Sequence, residues 1–353
     1  MRFPEPPAND LLKPGDLLRE RWKIKAKIGA GGFGQIYEAE DKETKSNVAV
    51  KTEAITDTSR IIIRMEIAVL KRLKDKPHVC EFFGAGKTKN YYFMVMSLCG
   101  QNLADRRRAS PQQCFSVATT FRVAYQMVEA IRDVHDIGFL HRDIKPSNFA
   151  VGRQSEHLRT VFILDFGLAR QFVINDSIRA ARSNAGFRGT VRYASYAPHE
   201  NKEMGRHDDL WPLFYVFVEF LTGNLPWKRL RDKTEVYECK KKYTYTDLAK
   251  MTPESAQEAL IAYAEHLIPL TYLDKPNYDL LISIAKRPLA AIGANDEGPF
   301  DWEEGYRSLI ELQDKLSNTQ AVISQIPRYT KGTTDIPDED KEEEYCEENF
   351  EAQ

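Results

Sequence analysis

His141-Arg142-Asp143-Ile144-Lys145-Pro146-Ser147-Asn148, with Asp165-Phe166-Gly167 beginning seventeen residues after Asn148, decides the reading of this chain. The stretch gathers a candidate proton acceptor (Asp143), a cation suited to a phosphate (Lys145) and two hard oxygen ligands (Asn148, Asp165). Mg²⁺ takes such oxygens, keeps several waters and borrows phosphate oxygens. The set predicts transfer of the γ-phosphoryl group of ATP to a hydroxyl, with Mg²⁺ at Asn148 and Asp165. Either motif alone is weak, so the remaining parts must be present in order.

Upstream, Gly29-Ala30-Gly31-Gly32-Phe33-Gly34-Gln35-Ile36 fits G-x-G-x-x-G-x-V with Ile for Val. Glycines there let backbone N–H groups close on phosphate oxygens where Cβ atoms would block them. The chain has nineteen glycines, so an ordinary glycine-rich hairpin is the bland alternative. It loses ground because Val48-Ala49-Val50-Lys51 follows, with Lys51 seventeen residues after Gly34, and Glu66 stands fifteen residues further on. Lys51 is read as neutralising the α- and β-phosphates and Glu66 as holding its ammonium. Taken singly, each also fits a surface ion pair worth about 0–1 kcal/mol. Ile28, Gly29, Gly31, Gly32, Gly34, Ile36 and Ala49 form the expected nucleotide wall. In Met96-Ser97-Leu98-Cys99 the Ser97 carbonyl and the Cys99 amide are expected to address the adenine edge, with Met96 as gatekeeper and Ala150 in the floor. Met96 fits plain core equally well. Thr190 is expected to contact Asp143 and Lys145 and to help select a Ser/Thr hydroxyl. Asp209 is expected to anchor the catalytic-loop backbone, since a buried carboxylate needs such partners. His141 should pack under Phe166, and Arg142 should pair with the activation segment.

Composition bounds the rest. With 353 residues, 42% apolar and 11% aromatic, the chain has globular values. No apolar run approaches the roughly eighteen residues of a membrane span. Met-Arg-Phe-Pro-Glu-Pro-Pro does not read as a signal peptide, and Arg2 argues against myristoylation. Five scattered cysteines (Cys80, Cys99, Cys114, Cys239, Cys346) fit neither zinc spacing nor a disulfide framework. They predict a reducing compartment: cytoplasm, with the nucleus as a second location. Residues 335 to 353 sum to -9 and the remainder to +7, a mildly basic body with an acidic end. Such a body favours anionic ligands or acidic substrates, although a solubilising tail is the plainer account.

Along the chain, residues 1 to 20 read as a loosely packing lead-in. From Trp22 to Met96 short strands recur, among them Asn47 to Lys51 and Tyr91 to Met96. One helical pattern interrupts them, from Ile61 to Leu73, with Ile62, Met65, Val69 and Leu73 on a stripe. After Gly100 helices dominate: Phe121 to Val134 ending near Gly138, an almost wholly apolar Leu210 to Leu221, and a helix to about Leu267 with Thr252 as N-cap and Pro253 at its first position. Beyond about Ser317 the pattern fades to polar and acidic, which predicts disorder.

Gly loop, strand Lys, helix Glu, catalytic loop and metal Asp stand in the order of the protein kinases. Gly186-Phe187-Arg188-Gly189-Thr190-Val191-Arg192-Tyr193-Ala194-Ser195 and Leu225-Pro226-Trp227 resemble the casein kinase 1 group. Gly138 to Ala150, Leu164 to Phe172, Met204 to Trp211 and Pro299 to Glu303 look like its tau-tubulin kinase branch. The resemblance covers about residues 20 to 316. It implies an α+β bilobal kinase fold: a small antiparallel sheet with one helix (21–97), a larger, mainly helical lobe (98–316), and an acidic tail (317–353). It implies ATP, Mg²⁺ and protein Ser/Thr phosphorylation by a constitutively active monomer, with acidic or cytoskeletal (tau/tubulin-like) substrates and no nucleic-acid or membrane partner. Three departures stand out. Tyr196-Ala197-Pro198-His199 replaces the group's usual stretch, Pro212 and Phe214 replace the usual Ser and Gly with Pro212 expected in the first turn of its helix, where proline is tolerated, and Glu238 falls near a phosphate-binding cation although Arg192 is present and Lys240, Lys241 and Lys242 are close. The rival readings are an ATP-binding pseudokinase scaffold and a small-molecule kinase. The presence of Lys51, Glu66, Asp143, Asn148 and Asp165 weighs against the first. The basic segment with Arg179, Arg182, Arg188 and Arg192 weighs against the second. In one further expectation, the acidic tail lies in the basic substrate groove as a weak pseudosubstrate.

Overall fold

The computed structural model describes residues 10–31, 34–55 and 61–303. Gly32, the acidic tail and Cys346 lie outside the described residues, so the expectations for them have no structural counterpart here. Strands β1 (Leu17–Leu18), β2 (Trp22–Gly31), β3 (Gly34–Asp41), β4 (Asn47–Ala54), β5 (Phe82–Lys87) and β6 (Tyr91–Ser97) form one antiparallel sheet in the order β1-β2-β3-β4-β6-β5. The central β4 is buried through all but its end residues. Strand period two puts Val48 and Val50 against Trp22, Ile24, Tyr37, Phe93 and Val95 on one face. Ala49, Lys51 and Glu53 therefore point to the other. Helix α1 (Ile63–Arg72) buries Ile63, Glu66, Val69 and Leu70 at helical spacing. Glu66 thus rides on the stripe that faces the core. The lead-in departs from expectation in its described part. Leu12 and Leu18 are buried, and the Leu12 N–H donates to the Tyr37 hydroxyl at 3.2 Å, because the apolar outer face of the sheet needs cover.

The helical part follows. It contains α2 (Leu103–Ala109), α3 (Val117–Asp136), β7 (Phe139–Leu140), β8 (Phe149–Val151), β9 (Val161–Ile163), β10 (Arg170–Gln171), α4 (Tyr196–His199), α5 (His207–Thr222), α6 (Lys233–Lys242), α7 (Tyr245–Lys250), α8 (Glu254–Leu267) and α9 (Tyr278–Ala291). Helix α3 is buried along most of its length and packs on α5 and α9. Ser116 caps it, and Asp301 accepts from the Ser116 N–H (2.7 Å), the Ser116 hydroxyl (2.6 Å) and the Thr119 hydroxyl (2.8 Å). The segment after α9 is thereby fastened to the start of α3. Gly138 follows its last turn at φ +81°, the left-handed stop that glycine adopts cheaply. One apolar core joins Ile63, Val69 and Met94 with α3 and α5 residues, so the sheet and the helical part share packing.

Two local expectations are corrected. Thr252 does not cap α8: its hydroxyl donates to the Ala249 carbonyl at 2.7 Å, closing the preceding turn, and Pro253 takes the N-cap position. Pro212 is the sixth residue of α5, in the second turn, where it leaves the Asp208 carbonyl without its helical donor. Among the described residues no helix is long and apolar enough to cross a membrane.

Arg21 closes the β2–β3 hairpin by donating to the Asp41 carboxylate at 2.7–3.0 Å. These hydrogen bonds outweigh burial and hold the Asp41 carboxyl at about 2. A depressed carboxyl contributes stability above the unfolded value near about pH 4 and loses it as pH falls through about 2. Asp41→Asn should cost about 1 kcal/mol at neutral pH, after allowing for the solvent at Arg21. In urea titrations the gap from wild type should close as pH falls from about 4 to about 2; a gap that does not change with pH would contradict this account.

Candidate active site

Lys51 is the meeting point of the two parts. Its Nζ donates to both Glu66 carboxylate oxygens, at 2.7 and 2.8 Å, and to Asp165 Oδ1 at 3.0 Å. Lys51 is 4% exposed and Glu66 1%. Burial works against the ammonium, but Asp165 and Glu66 outweigh it and hold Lys51 above the usual lysine range. Burial, opposed by Lys51, pushes the Glu66 carboxyl up to about 7. Asp165 goes the other way. Burial raises it, but Lys51 and then Lys145 prevail and lower it.

The catalytic loop runs from β7 to β8. Asp143 accepts from the Thr190 hydroxyl at 2.7 Å and from Asn148 Nδ2 at 3.2 Å, and Lys145 Nζ lies 3.2 Å from Asp143 Oδ2. Thr190, Lys145 and Asn148 therefore converge on one buried carboxylate. The Leu164 N–H donates to the Asn148 carbonyl at 2.8 Å, which ties the Asp165 strand end to the loop. His141 sits against Phe166, ring centroids 5.3 Å apart, and its Nε2 donates to the Leu164 carbonyl at 3.0 Å. Arg142 Nε donates to the Leu168 carbonyl at 2.8 Å, within the segment that follows Asp165. Arg142 and Asp165 hold φ of +67° and +63°, left-handed values that cost a non-glycine residue free energy and persist only where surroundings impose them. At Arg142 the imposing group is Asp209. Its carboxylate accepts from the His141 and Arg142 N–H groups, each at 2.7 Å, and from His135 Nε2 at 2.9 Å. Burial raises the Asp209 carboxyl, but these partners, His135 foremost, lower it. His135 Nδ1 in turn pairs with the Tyr278 hydroxyl at 2.7 Å, so α5, α3 and α9 jointly support the loop.

In the expected nucleotide wall, β2 pairs with β3 as far as Gly31 and Gly34. At Gly34, φ is +121°, and a Cβ would meet the Thr52 carbonyl at 1.9 Å. The packing of β3 on β4 already demands glycine there; at Gly31 a Cβ would meet nothing. Ile28 is 48% exposed at the rim, while Ala49 and Ala150 are buried. Met96 is in register with Ala49, and Ile36 with Lys51. Past Ser97 the chain bonds to β8, the Gly100 N–H donating to Val151 at 2.8 Å, so Cys99 lies at the junction between the sheet and the helical part.

The cations beside the activation segment are largely committed. Arg192 lies 3.8 Å from the buried Glu219 and donates to the Lys228 carbonyl at 3.3 Å. Lys240, close to Arg192 in expectation, is 1% exposed and donates to the Val191 and Ala194 carbonyls at 3.1 and 2.7 Å, with the Tyr215 and Trp227 rings within 4.9 and 5.3 Å. Burial lowers its pKa well below the usual lysine range. Glu238 is exposed and pairs with Lys241 at 2.6 Å. Arg182 and Arg170 converge on Glu203, at 2.5 and 3.4 Å. His199 is buried between Phe187 and Tyr237, and burial lowers it to about 3.

Glu53 went unread in the sequence because a glutamate in a strand reads as an exposed edge. On β4, two residues from Lys51, it accepts from the Ile62 and Ile63 N–H groups at 3.0 and 2.6 Å. It caps α1, which has no side-chain cap of its own, and places a carboxylate at the positive end of the helix. One strand thus sets both the lysine and the start of the helix that carries its partner. Glu53→Ala should cost about 1–2 kcal/mol, the usual value of a lost cap. Amide hydrogen exchange should accelerate across Ile63–Arg72; unchanged exchange there would contradict the assignment.

Comparison with known proteins agrees with this geometry. The family model described as the protein kinase domain matches residues 22–282. A Dictyostelium discoideum protein named a probable serine/threonine-protein kinase is 42% identical over 290 residues, covering 82% of this chain and 58% of that one. The chain thus spans little more than half the length of that relative. A Caenorhabditis elegans protein named as a candidate casein kinase I is 32% identical over 307 residues, covering 85% of this chain and 89% of that one. The C. elegans serine/threonine-protein kinase spe-6 is 30% identical over 291 residues, covering 81% and 76%. With its antiparallel sheet, its helical C-terminal part and the Lys51–Glu66–Asp165 junction, the chain belongs to the protein kinase domain family.

Proposed function

We propose that the chain is an ATP-dependent protein serine/threonine kinase of the casein kinase 1 group, in its tau-tubulin kinase-like branch. The observation that carries the enzymatic reading is the convergence of Thr190, Lys145 and Asn148 on Asp143, beside an Asp165 held by Lys51. Asp143 orients the acceptor hydroxyl and takes its proton as the oxygen attacks the γ-phosphorus. Lys145, now on Asp143, is placed to turn toward the phosphate and offset its charge. Lys51, fixed by Glu66, serves the α- and β-phosphates. The Ser97 carbonyl and Cys99 amide receive the adenine edge, between Ala49 and Ala150 and behind Met96.

Asn148 and Asp165 fit Mg²⁺. Both offer hard oxygens, and among the described residues no cluster of three or more His, Cys, Asp or Glu could hold a metal by protein ligands alone. Two protein oxygens with water and phosphate completing the shell suit this ion. When bound, Mg²⁺ supplies charge neutralisation on the phosphates.

Constitutive activity has physical support. Thr190 already meets Asp143, Arg142 is bonded to the Leu168 carbonyl, and Glu203 supplies an internal carboxylate to Arg170 and Arg182. No phosphate is needed to order these groups. For substrates we favour acidic side chains over priming phosphates, because Arg192 and Lys240 are engaged within the fold and Glu238 stands nearby.

Transfer of labelled γ-phosphate from Mg-ATP to casein, tau and tubulin tests the proposal. Wild type should label Ser or Thr. Asp143→Asn should lower the rate about 10²–10⁴-fold, as for loss of a positioned base, and Asp165→Asn should abolish it. Phosphatase pretreatment should leave the rate unchanged. A wild-type chain that binds ATP yet labels nothing above the variants would overturn the reading.

A further inference from the structure

Two thiols flank the paired strands β5 and β6 beside the junction between the sheet and the helical part. Cys80 precedes β5 and Cys99 follows β6, with Sγ atoms 3.4 Å apart. The approach is set by the backbone. Phe82 is in register with Met96, the Ser97 N–H donates to the Glu81 carbonyl at 3.0 Å, and the Glu81 N–H donates to the Ser97 hydroxyl at 3.0 Å. Both cysteines are free thiols.

The pair is asymmetric. Cys80 is 4% exposed, and its segment is pinned to β9 by the Val79–Ile163 bridge and by the Ile163 N–H donating to the His78 carbonyl at 2.9 Å. Cys99 is half-buried, on the segment that crosses between the two parts of the fold. The hydrogen bond to Cys99, and burial, raise the Cys80 thiol well above the usual range. Cys99, the more exposed of the two sulfurs, is the one that meets an oxidant. A disulfide needs its sulfurs about 2.05 Å apart. Since Cys80 is anchored, closing that gap displaces Cys99.

We propose that Cys80 and Cys99 are an oxidation site: a hydroperoxide converts them to a reversible disulfide that draws Cys99 toward β5 and weakens nucleotide binding. The thiolate of Cys99 attacks the peroxide oxygen, breaking the O–O bond and releasing hydroxide, and becomes a sulfenic acid. The Cys80 sulfur then attacks the Cys99 sulfur, and the sulfenic hydroxyl leaves with the Cys80 proton as water. Two thiols and one hydrogen peroxide yield one disulfide and two waters. A dithiol reductant reverses the step. The consequence for nucleotide rests on the proposed role of the Cys99 amide at the adenine edge; the bond itself does not.

The test treats the full chain and Cys80→Ser with hydrogen peroxide, alkylates remaining thiols, and maps disulfides by peptide mass spectrometry. A fluorescent ATP analogue measures binding in parallel. The expected result is a Cys80–Cys99 peptide pair in wild type that disappears with dithiothreitol. Binding of the analogue should weaken about fivefold, the value of one neutral hydrogen bond, and recover on reduction. Cys80→Ser should form no such pair and should keep its affinity under the same oxidant. Both thiols alkylated in wild type, Cys99 joined to another partner instead, or a Cys80–Cys99 bond without a change in affinity would each overturn the proposal. Reduced wild type that binds no analogue would count against the kinase reading, and the peptide map would still decide the disulfide.

Discussion

A buried ammonium holds this molecule in its working arrangement. Lys51 leaves water almost completely, and a charge in that position is tolerable only with opposite charge and hydrogen bonds around it. Its partners come from separate places: Glu66 from α1, Asp165 from the segment after β9. Satisfying one side chain therefore fixes the helix against the sheet and the sheet against the helical part. Burial raises the Glu66 carboxyl against the attraction of Lys51.

Asp209 plays the corresponding part in the helical half. Two non-glycine residues hold left-handed backbone around the catalytic loop, and the Asp209 carboxylate, carried on α5 and braced by His135 and Tyr278, gives that loop its hydrogen bonds. Asp143 is then presented by a backbone with little freedom, and Thr190 and Lys145 complete its surroundings. Rigid support of this kind fits chemistry that depends on positioning and electrostatics more than on covalent steps.

The substrate side shows why cations cannot be counted from sequence. Arg192 reads as a phosphate-binding cation with Lys240 close by, yet Lys240 donates to two backbone carbonyls beneath Tyr215 and Trp227, and Arg192 leans on Glu219. Conversely, Glu203 gathers Arg170 and Arg182, two cations that sequence alone would leave on the surface.

Much of this protein could be read from residue order alone. Strand alternation, the helical run from Ile61 to Leu73 and the spacing from Gly29 to Asp165 imply a sheet-plus-helix part, a helical part and a site between them, because local periodicity and motif order are properties of the chain itself. Tertiary structure decided what depends on neighbours distant in sequence. Glu53 became a helix cap only because β4 runs beside the start of α1, and Cys80 met Cys99 only because β5 and β6 pair in that register. Thr252 gave up its expected capping role when a nearer carbonyl, that of Ala249, took its hydroxyl. Hydrogen bonds and ion pairs act over a few ångströms, and the distances that close them are set by the packed fold rather than by spacing along the chain.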